Sequence, residues 1–218
     1  MFIDREDAAI QLARALETYK NKETVVLGIP RGGAVTGYHV AIHLNAEFSL
    51  LISRKLGHPY NPEFAIGAIT EDGTLHLNQL ASLEVSQAQI DLAIEHQKKE
   101  IERRIKILRK GEPLPILKDK IVIIVDDGIA TGATISAAIK MCKKRAPAKI
   151  VVAAPVSGSD VANKLKKEAD EVVILETPSF LYAVSLAYES FSAVTDDEAL
   201  RLFEKWRKLK TPPEKTSQ

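Results

Sequence analysis

Two adjacent carboxylates, Asp126 and Asp127, stand between an apolar run and a turn of small residues. The small side chains of the turn let backbone N–H groups converge on an anion, and its two threonine hydroxyls add donors. The turn comprises Ala130, Thr131, Gly132, Ala133 and Thr134. Carboxylates beside an anion cradle suit a ligand with a phosphate at one end and hydroxyls or a magnesium shell at the other. A sugar phosphate meets this description.

A second candidate anion site lies where Pro30 and Arg31 precede Gly32 and Gly33. The planar guanidinium of Arg31 is a bidentate donor, and the two glycines let the backbone approach an anion closely. Without a ligand, the same residues would be an ordinary glycine-rich turn between a strand and a helix. The residues alone leave both interpretations open.

The elements around these residues predict a parallel α/β fold. Residues 24–29 (TVVLGI) and 121–125 (IVIIV) are apolar runs without alternation, which is typical of strands buried on both faces. Further strands are predicted at 48–53, 149–154 and 171–175, with helices between them. Because ligands bind at the carboxyl edge of such sheets, both candidate sites are expected at that edge.

The segment VIIVDDGIATGAT, residues 122–134, resembles the fingerprint with which type I phosphoribosyltransferases bind 5-phosphoribosyl-1-pyrophosphate (PRPP). The resemblance implies a parallel β-sheet flanked by helices, with a small hood over the site. It implies that Asp126 and Asp127 bind the ribose hydroxyls and hold Mg²⁺ through water, and that residues 130–134 bind the 5′-phosphate. With Arg31 of the other turn, these two aspartates are the expected catalytic residues.

The resemblance also assigns the turn at residues 30–33. In this family the first strand ends in a pyrophosphate loop, which often contains a cis peptide bond that does not involve a proline nitrogen. We therefore expect Arg31, Gly32 and Gly33 to bind pyrophosphate, and the bond between Pro30 and Arg31 to be cis.

Arg54 and Lys55 follow the predicted strand at 48–53, and residues 58–63 (HPYNPE) are rich in turn formers. Type I phosphoribosyltransferases carry a flexible loop here, which closes over PRPP and excludes water. The resemblance makes both cations candidates for contacts with pyrophosphate. A solvated basic turn is the alternative.

A hairpin and a long helix are predicted within an insertion at about residues 64–112. Asp72 and Gly73 are a hairpin turn signal. The helix is predicted to start at Ser82 or Ser86 and to keep one apolar stripe to about residue 110. Its basic residues are interspersed with glutamates, so we expect a solvated face rather than an RNA-binding surface.

The segment at residues 177–195 is unusually aromatic, and the resemblance makes it the hood that holds the acceptor base. Flat rings stack on nucleobases, so Phe180, Tyr182 and Tyr188 are candidates for that contact. Any one of them could instead be a core residue. Ala130 stands where enzymes for 6-oxopurines usually carry an aspartate, which argues against hypoxanthine or guanine as the acceptor.

These observations predict Mg²⁺-dependent transfer of a phosphoribosyl group from PRPP to a nucleobase-like acceptor, with release of pyrophosphate. Two alternatives stay open. One is a non-catalytic PRPP sensor that regulates nucleotide metabolism, and the other is an enzyme acting on another ribose 5-phosphate compound. The fingerprint with PRGG and RKLGHPYNPEFAIGA resembles a group of functionally unassigned phosphoribosyltransferase-like proteins.

Composition predicts one domain at residues 1–209 and a disordered tail at 210–218. Of the 218 residues 45% are hydrophobic, and the net charge of +1 gives no pull towards nucleic acid or acidic membranes. The single cysteine, Cys142, excludes an internal disulfide and is expected to be a packing residue. No run approaches the ~18 apolar residues of a membrane span, and no P-loop, dinucleotide-binding or zinc spacing occurs. We expect a cytoplasmic protein, in which the insertion could support a homodimer.

Overall fold

The computed structural model describes residues 1–78 and 85–210. Its strands are β1 (Thr24–Gly28), β2 (Glu47–Leu50), β3 (Ser53–His58), β4 (Asn61–Thr70), β5 (Leu75–Leu77), β6 (Ile121–Val125), β7 (Lys149–Val156) and β8 (Glu171–Glu176). Its helices are α1 (Arg5–Ala15), α2 (Gly32–Leu44), α3 (Gln87–Arg109), α4 (Ala133–Lys143), α5 (Ser159–Leu165) and α6 (Asp196–Lys210). None of these described helices is long and apolar enough to cross a bilayer.

Five parallel strands form the central sheet, in the order β2-β1-β6-β7-β8. β1 and β6 are neighbours, with Thr24 opposite Ile121 and Gly28 opposite Val125. The prediction of a parallel sheet flanked by helices is confirmed. Because the carboxyl ends of β1 and β6 coincide, the two turns that follow them meet at one edge of the sheet.

Side chains of the sheet alternate between two hydrophobic layers. On one face Val26 and Ile123 pack in the layer that includes α1, α2 and α6. On the other face Leu27 and Ile124 pack in the layer that includes α4. Cys142 of α4 lies in this second layer, where burial raises the pKa of its thiol to about 12. Cys142 is therefore a packing residue, as predicted.

A separate antiparallel sheet, in the order β3-β4-β5, follows β2. The predicted hairpin turn between β4 and β5 is confirmed, since Gly73 has a φ of +81° and the Asp72 carboxylate accepts the N–H of Thr74 at 2.9 Å. The strand predicted at 48–53 ends earlier, at Leu50, where the chain leaves the parallel sheet.

The prediction of a flexible loop at residues 58–63 is wrong. β3 and β4 pair almost to their ends, with His58 opposite Asn61, so the turn formers make a tight hairpin. Ser53 and Leu56 are buried in β3, and the two residues after each of them are half-buried, so the strand lacks the simple alternation that would have marked it in the sequence.

The long helix α3 begins at the second of its two predicted starts. The Ser86 hydroxyl accepts the N–H of Gln89, and the Gln89 side chain accepts the N–H of Ser86, which is a capping box. The alternative start at Ser82 lies outside the described residues. Ile90, Ile101 and Leu108 form the buried part of its apolar stripe.

The expectation of a fully solvated basic face on α3 is wrong at Arg104 and Arg109, which are 7% and 1% exposed. Arg109 donates to the two carboxylate oxygens of Glu71 at 2.7 and 3.0 Å and to the carbonyl oxygen of Leu50 at 3.1 Å. A bidentate partner lets a guanidinium be buried without leaving its charge unpaired. The pair joins α3 to the hairpin and to the edge of the parallel sheet.

Side-chain caps define the first and last described helices. Asp4 accepts the N–H of Asp7 at the start of α1. Thr195 and Glu198 form a capping box before α6. Helix α6 ends at Lys210, the first residue of the predicted tail. The rest of that tail, residues 211–218, lies outside the described part of the chain.

Candidate functional site

The fingerprint turn surrounds a cavity of about 180 Å³ at the start of α4. Gly132 precedes the helix with a φ of +74°, a left-handed conformation that glycine adopts without strain. The first N–H groups of an α-helix have no partner within the helix, and the helix dipole favours an anion there. The cavity is lined by Lys55, Asp126 and residues 128–134. The N-terminus of α4 and Lys55 make this cavity a candidate phosphate site.

The turn after β1 packs directly against the two aspartates. A β-carbon on Gly32 would lie 1.8 Å from Oδ2 of Asp127, and one on Gly33 would lie 2.7 Å from the carbonyl oxygen of Val125 and 3.0 Å from Oδ1 of Asp126. A side chain at Gly32 would therefore displace the Asp127 carboxylate, and one at Gly33 would displace the main chain at the end of β6. The peptide bond between Pro30 and Arg31 is cis, as predicted.

The aspartate pair is electrostatically crowded. Asp127 donates its N–H to Oδ1 of Asp126 at 2.9 Å. Burial raises the pKa of Asp126 well above its ordinary value, and the neighbouring charge of Asp127 raises it further. A hydrogen-bond donor or cation that arrives with a ligand would relieve this crowding.

Arg5 is a member of the site that sequence reasoning missed. Its Nε donates to Oδ2 of Asp127 at 2.6 Å, and its Nη1 donates to the carbonyl oxygen of Ser192 at 2.6 Å. The guanidinium lies 3.6 Å from the ring centre of Phe191. Arg5 and Asp127 are 122 positions apart, and no motif surrounds Arg5, so no local pattern could have paired them.

Two of the three aromatic side chains predicted to contact a base are open to solvent. Phe180 is 81% exposed and Tyr182 is 90% exposed, both in the hood segment. Tyr188 differs, since it is 6% exposed and its hydroxyl donates to the carbonyl oxygen of Asp127. Burial, and then the charge of Asp127, raise the pKa of this phenol. The base contact predicted for Tyr188 does not fit this placement, because its ring packs beside Phe2.

The two cations of β3 have different neighbours. Lys55 lines the cavity of the fingerprint turn, and nearby Ser53 donates its hydroxyl to the carbonyl oxygen of Thr134 at 3.1 Å. Arg54 instead donates to Gln97 of α3 at 3.0 Å and does not line this cavity. Burial lowers the pKa of Arg54. Adjacent residues of a strand point to opposite faces, which explains the difference.

The residues present fit an ion that brings most of its own ligands. Within residues 1–78 and 85–210, no three His, Cys, Asp or Glu side chains cluster as a metal site would require. Asp126 and Asp127 nevertheless provide carboxylate oxygens beside the anion loops. Mg²⁺ commonly keeps several waters and binds through one or two carboxylates and substrate phosphates.

Comparison with known proteins agrees with this geometry. The family model of the phosphoribosyl transferase domain matches residues 3–189. Two relatives from Mycobacterium tuberculosis, MT0597 of strain CDC 1551 and Rv0571c of strain H37Rv, have names that assign them provisionally to the phosphoribosyl transferases. Each is 40% identical over 207 residues, which cover 94% of this chain and 47% of the relative. The chain thus spans about half the length of these curated relatives.

Solved structures share the fold. The crystal structure of TT1426 from Thermus thermophilus is 37% identical in sequence, covers 94% of this chain and 98% of its own, and has a TM-score of 0.79. The AQ2163 protein from Aquifex aeolicus is 16% identical, with a TM-score of 0.51 over 79% of this chain and 72% of that one. The matched domain and the type I architecture agree: the chain belongs to the phosphoribosyl transferase family.

Proposed function

We propose that the protein transfers the 5-phosphoribosyl group of PRPP to a nucleobase-like acceptor and releases pyrophosphate, with Mg²⁺ as cofactor. One observation carries the proposal: two turns with the residues to bind anions flank one pair of carboxylates, and Gly32 of one turn packs against Asp127 of the pair. PRPP has the same order of groups, with a phosphate at C5, hydroxyls at C2 and C3, and pyrophosphate at C1.

Each part of the site has a role in this proposal. Residues 130–134 bind the 5′-phosphate from the N-terminus of α4, with Lys55 at the same cavity. Asp126 and Asp127 accept hydrogen bonds from the ribose hydroxyls. Arg31 and the two glycines after it bind the pyrophosphate.

The reaction needs no covalent intermediate with the protein. The bond between C1 and the pyrophosphate oxygen breaks with its electron pair on oxygen, and a ring nitrogen of the acceptor supplies the pair for the new bond to C1. Mg²⁺, when bound through water to Asp126 and Asp127, neutralises charge on the leaving group. The chain holds C1 in place and stabilises the departing anion.

The acceptor is proposed to bind against the hood segment. Phe180 and Tyr182 offer exposed rings, and stacking does not require one particular base. Arg54 donates to Gln97 of α3, and its contact with pyrophosphate rests on the family resemblance alone. With Ala130 in place of an acid, hypoxanthine and guanine are disfavoured acceptors.

The same exposure favours a second candidate, a PRPP sensor without transferase activity. A sensor needs the phosphate and ribose sites but no enclosed base pocket, and two of the proposed base-binding rings are more than 80% exposed. Cytoplasmic location and a homodimer through α3 remain expectations from the sequence.

The test is pyrophosphate release from PRPP and Mg²⁺ with purine, pyrimidine and pyridine bases in turn. Calorimetric titration with PRPP is run in parallel. Release with one base supports the transferase and identifies the acceptor class. PRPP binding without release from any base supports the sensor, and absence of PRPP binding contradicts both.

A further inference from the structure

The first residues of the chain extend the hood. The main chain of residues 2–3 runs beside residues 187–190, with hydrogen bonds from Phe2 N–H to the carbonyl oxygen of Ala187 at 2.8 Å and from Ser190 N–H to that of Ile3 at 2.9 Å. The Phe2 ring lies 5.5 Å from that of Tyr188. Arg5 begins α1 directly after this pairing, so the hood segment determines where its side chain starts.

The Arg5 guanidinium is fixed on three sides. Asp127 accepts from one of its nitrogens, Ser192 accepts from another, and the Phe191 ring lies against its face. The Arg5 and Asp127 side chains are only 11% and 14% exposed, so water screens the pair weakly. The planar guanidinium of an arginine can make these three contacts at once, whereas the single ammonium group of a lysine cannot.

Asp127 is consequently held at both ends. The Tyr188 hydroxyl donates to its carbonyl oxygen, and Arg5 donates to its carboxylate. Tyr188 and Phe191 are themselves in contact, with ring centres 4.9 Å apart. Arg5, Tyr188 and Phe191 together hold Asp127 in place. These residues come from the start of α1 and from the hood, and none of them belongs to the fingerprint.

We propose that Arg5 is a positioning residue for ribose recognition, which orients the Asp127 carboxylate towards a hydroxyl of the sugar. This inference rests on the proposed function, since it requires a ribose 5-phosphate ligand. Arg5 acts through Asp127 and is not assigned a contact with the substrate. The hood then contributes to sugar recognition as well as to acceptor binding.

The test compares ligands of equal charge, so that removal of a cation affects all of them alike. Calorimetry measures the affinities for ribose 5-phosphate and for its 2-deoxy and 3-deoxy analogues. The unmodified protein should prefer ribose 5-phosphate to at least one analogue by about tenfold, because a hydrogen bond to a charged group contributes that much. Arg5→Gln should reduce the preference to about twofold or less.

Three further variants complete the design. Arg5→Lys retains the charge but not the fork, and should lose most of the preference. Arg14→Gln removes an exposed arginine from the same helix and should keep the full preference for ribose 5-phosphate. If Arg5→Gln proves unfolded by thermal denaturation, Phe191→Leu, which removes only the ring beneath the guanidinium, should lower the preference instead.

The outcomes separate the two proposals. A folded Arg5→Gln protein, or a Phe191→Leu protein in its place, that discriminates as well as the unmodified protein overturns the role of Arg5 alone. An unmodified protein that binds none of the three ligands overturns the proposed function and this inference with it. If the unmodified protein binds all three ligands equally, the role of Arg5 is overturned. The proposed function is then tested by PRPP binding, which is measured separately.

Discussion

Gly32 packs against the carboxylate of Asp127 so closely that a β-carbon at Gly32 would lie 1.8 Å from Oδ2. No side chain fits in that space. The contact joins the turn proposed for pyrophosphate to the aspartate proposed for ribose, so neither group can move far without the other. The geometry of the whole candidate site depends on this contact.

Gly32→Ala should therefore displace Asp127 and weaken PRPP binding by at least about tenfold. Calorimetric titration with PRPP measures the effect. Gly158→Ala is the matched control, because the nearest atom to a β-carbon there is Leu181 Cβ at 3.7 Å, an ordinary contact. An affinity for PRPP within about twofold of the unmodified value in Gly32→Ala would contradict the proposed arrangement.

Asp127→Asn should lower PRPP affinity while the fold survives. The amide keeps the shape of the carboxylate and can still accept from Arg5, but it makes weaker hydrogen bonds to the sugar. A hydrogen bond to a charged group contributes ~1.5–3 kcal/mol, which corresponds to about tenfold or more in affinity. Circular dichroism checks the fold. Asp160→Asn, an exposed change in the first turn of α5, should leave PRPP affinity unaltered.

Much of the fold follows from local pattern. The unalternating apolar runs of β1 and β6 can be buried only in a parallel sheet covered on both faces, and the turns after them must then share one edge. The hairpin turn at Asp72 and Gly73 depends on a left-handed residue that sequence reveals directly. These features need only a few neighbouring residues to be recognised.

The parts that could not be predicted depend on residues far apart in the chain. Arg5 reaches Asp127 only because the chain terminus pairs with the hood, and Arg109 is buried only because Glu71 lies opposite it. Tyr188 has the aromatic ring that a base contact needs, but its position beside Phe2 makes it part of the core. The type of a side chain does not reveal whether it is buried or what it contacts, because both depend on residues that are distant in the sequence.

Arg109→Met should lower the free energy of unfolding by about 3–5 kcal/mol, because it leaves the carboxylate of Glu71 buried without its partner. Urea denaturation measures this loss. The double variant Arg109→Met with Glu71→Leu should recover part of it, since both charges are then absent. Arg103→Met removes a more exposed arginine of α3 and should have a smaller effect. Equal losses in Arg109→Met and Arg103→Met would contradict the importance of burial.

Glu100 should make stability depend on pH. Hydrogen bonds from Arg103 and then Arg104 lower its pKa from an ordinary 4.5 to about 2. A carboxyl group with a depressed pKa in the folded state stabilises the fold above pH 4.5, and this contribution is lost as the pH falls towards 2. Glu100→Gln should therefore lower the Tm at pH 7, and the difference should vanish near pH 2. Glu95→Gln, at a more exposed position of α3, should change the Tm at pH 7 less than Glu100→Gln does.

Phe180→Ala and Tyr182→Ala should weaken acceptor binding without changing PRPP affinity. Both rings are more than 80% exposed, so truncation costs little packing, while loss of a stacking partner costs ~1–3 kcal/mol for each base. With the acceptor found in the base panel, the KM for that base should rise by about tenfold while the KM for PRPP stays constant. Tyr60→Ala, an 82% exposed tyrosine on the hairpin between β3 and β4, is the control. If only Tyr60→Ala raises the KM for the base, the acceptor lies beneath that hairpin and not against the hood.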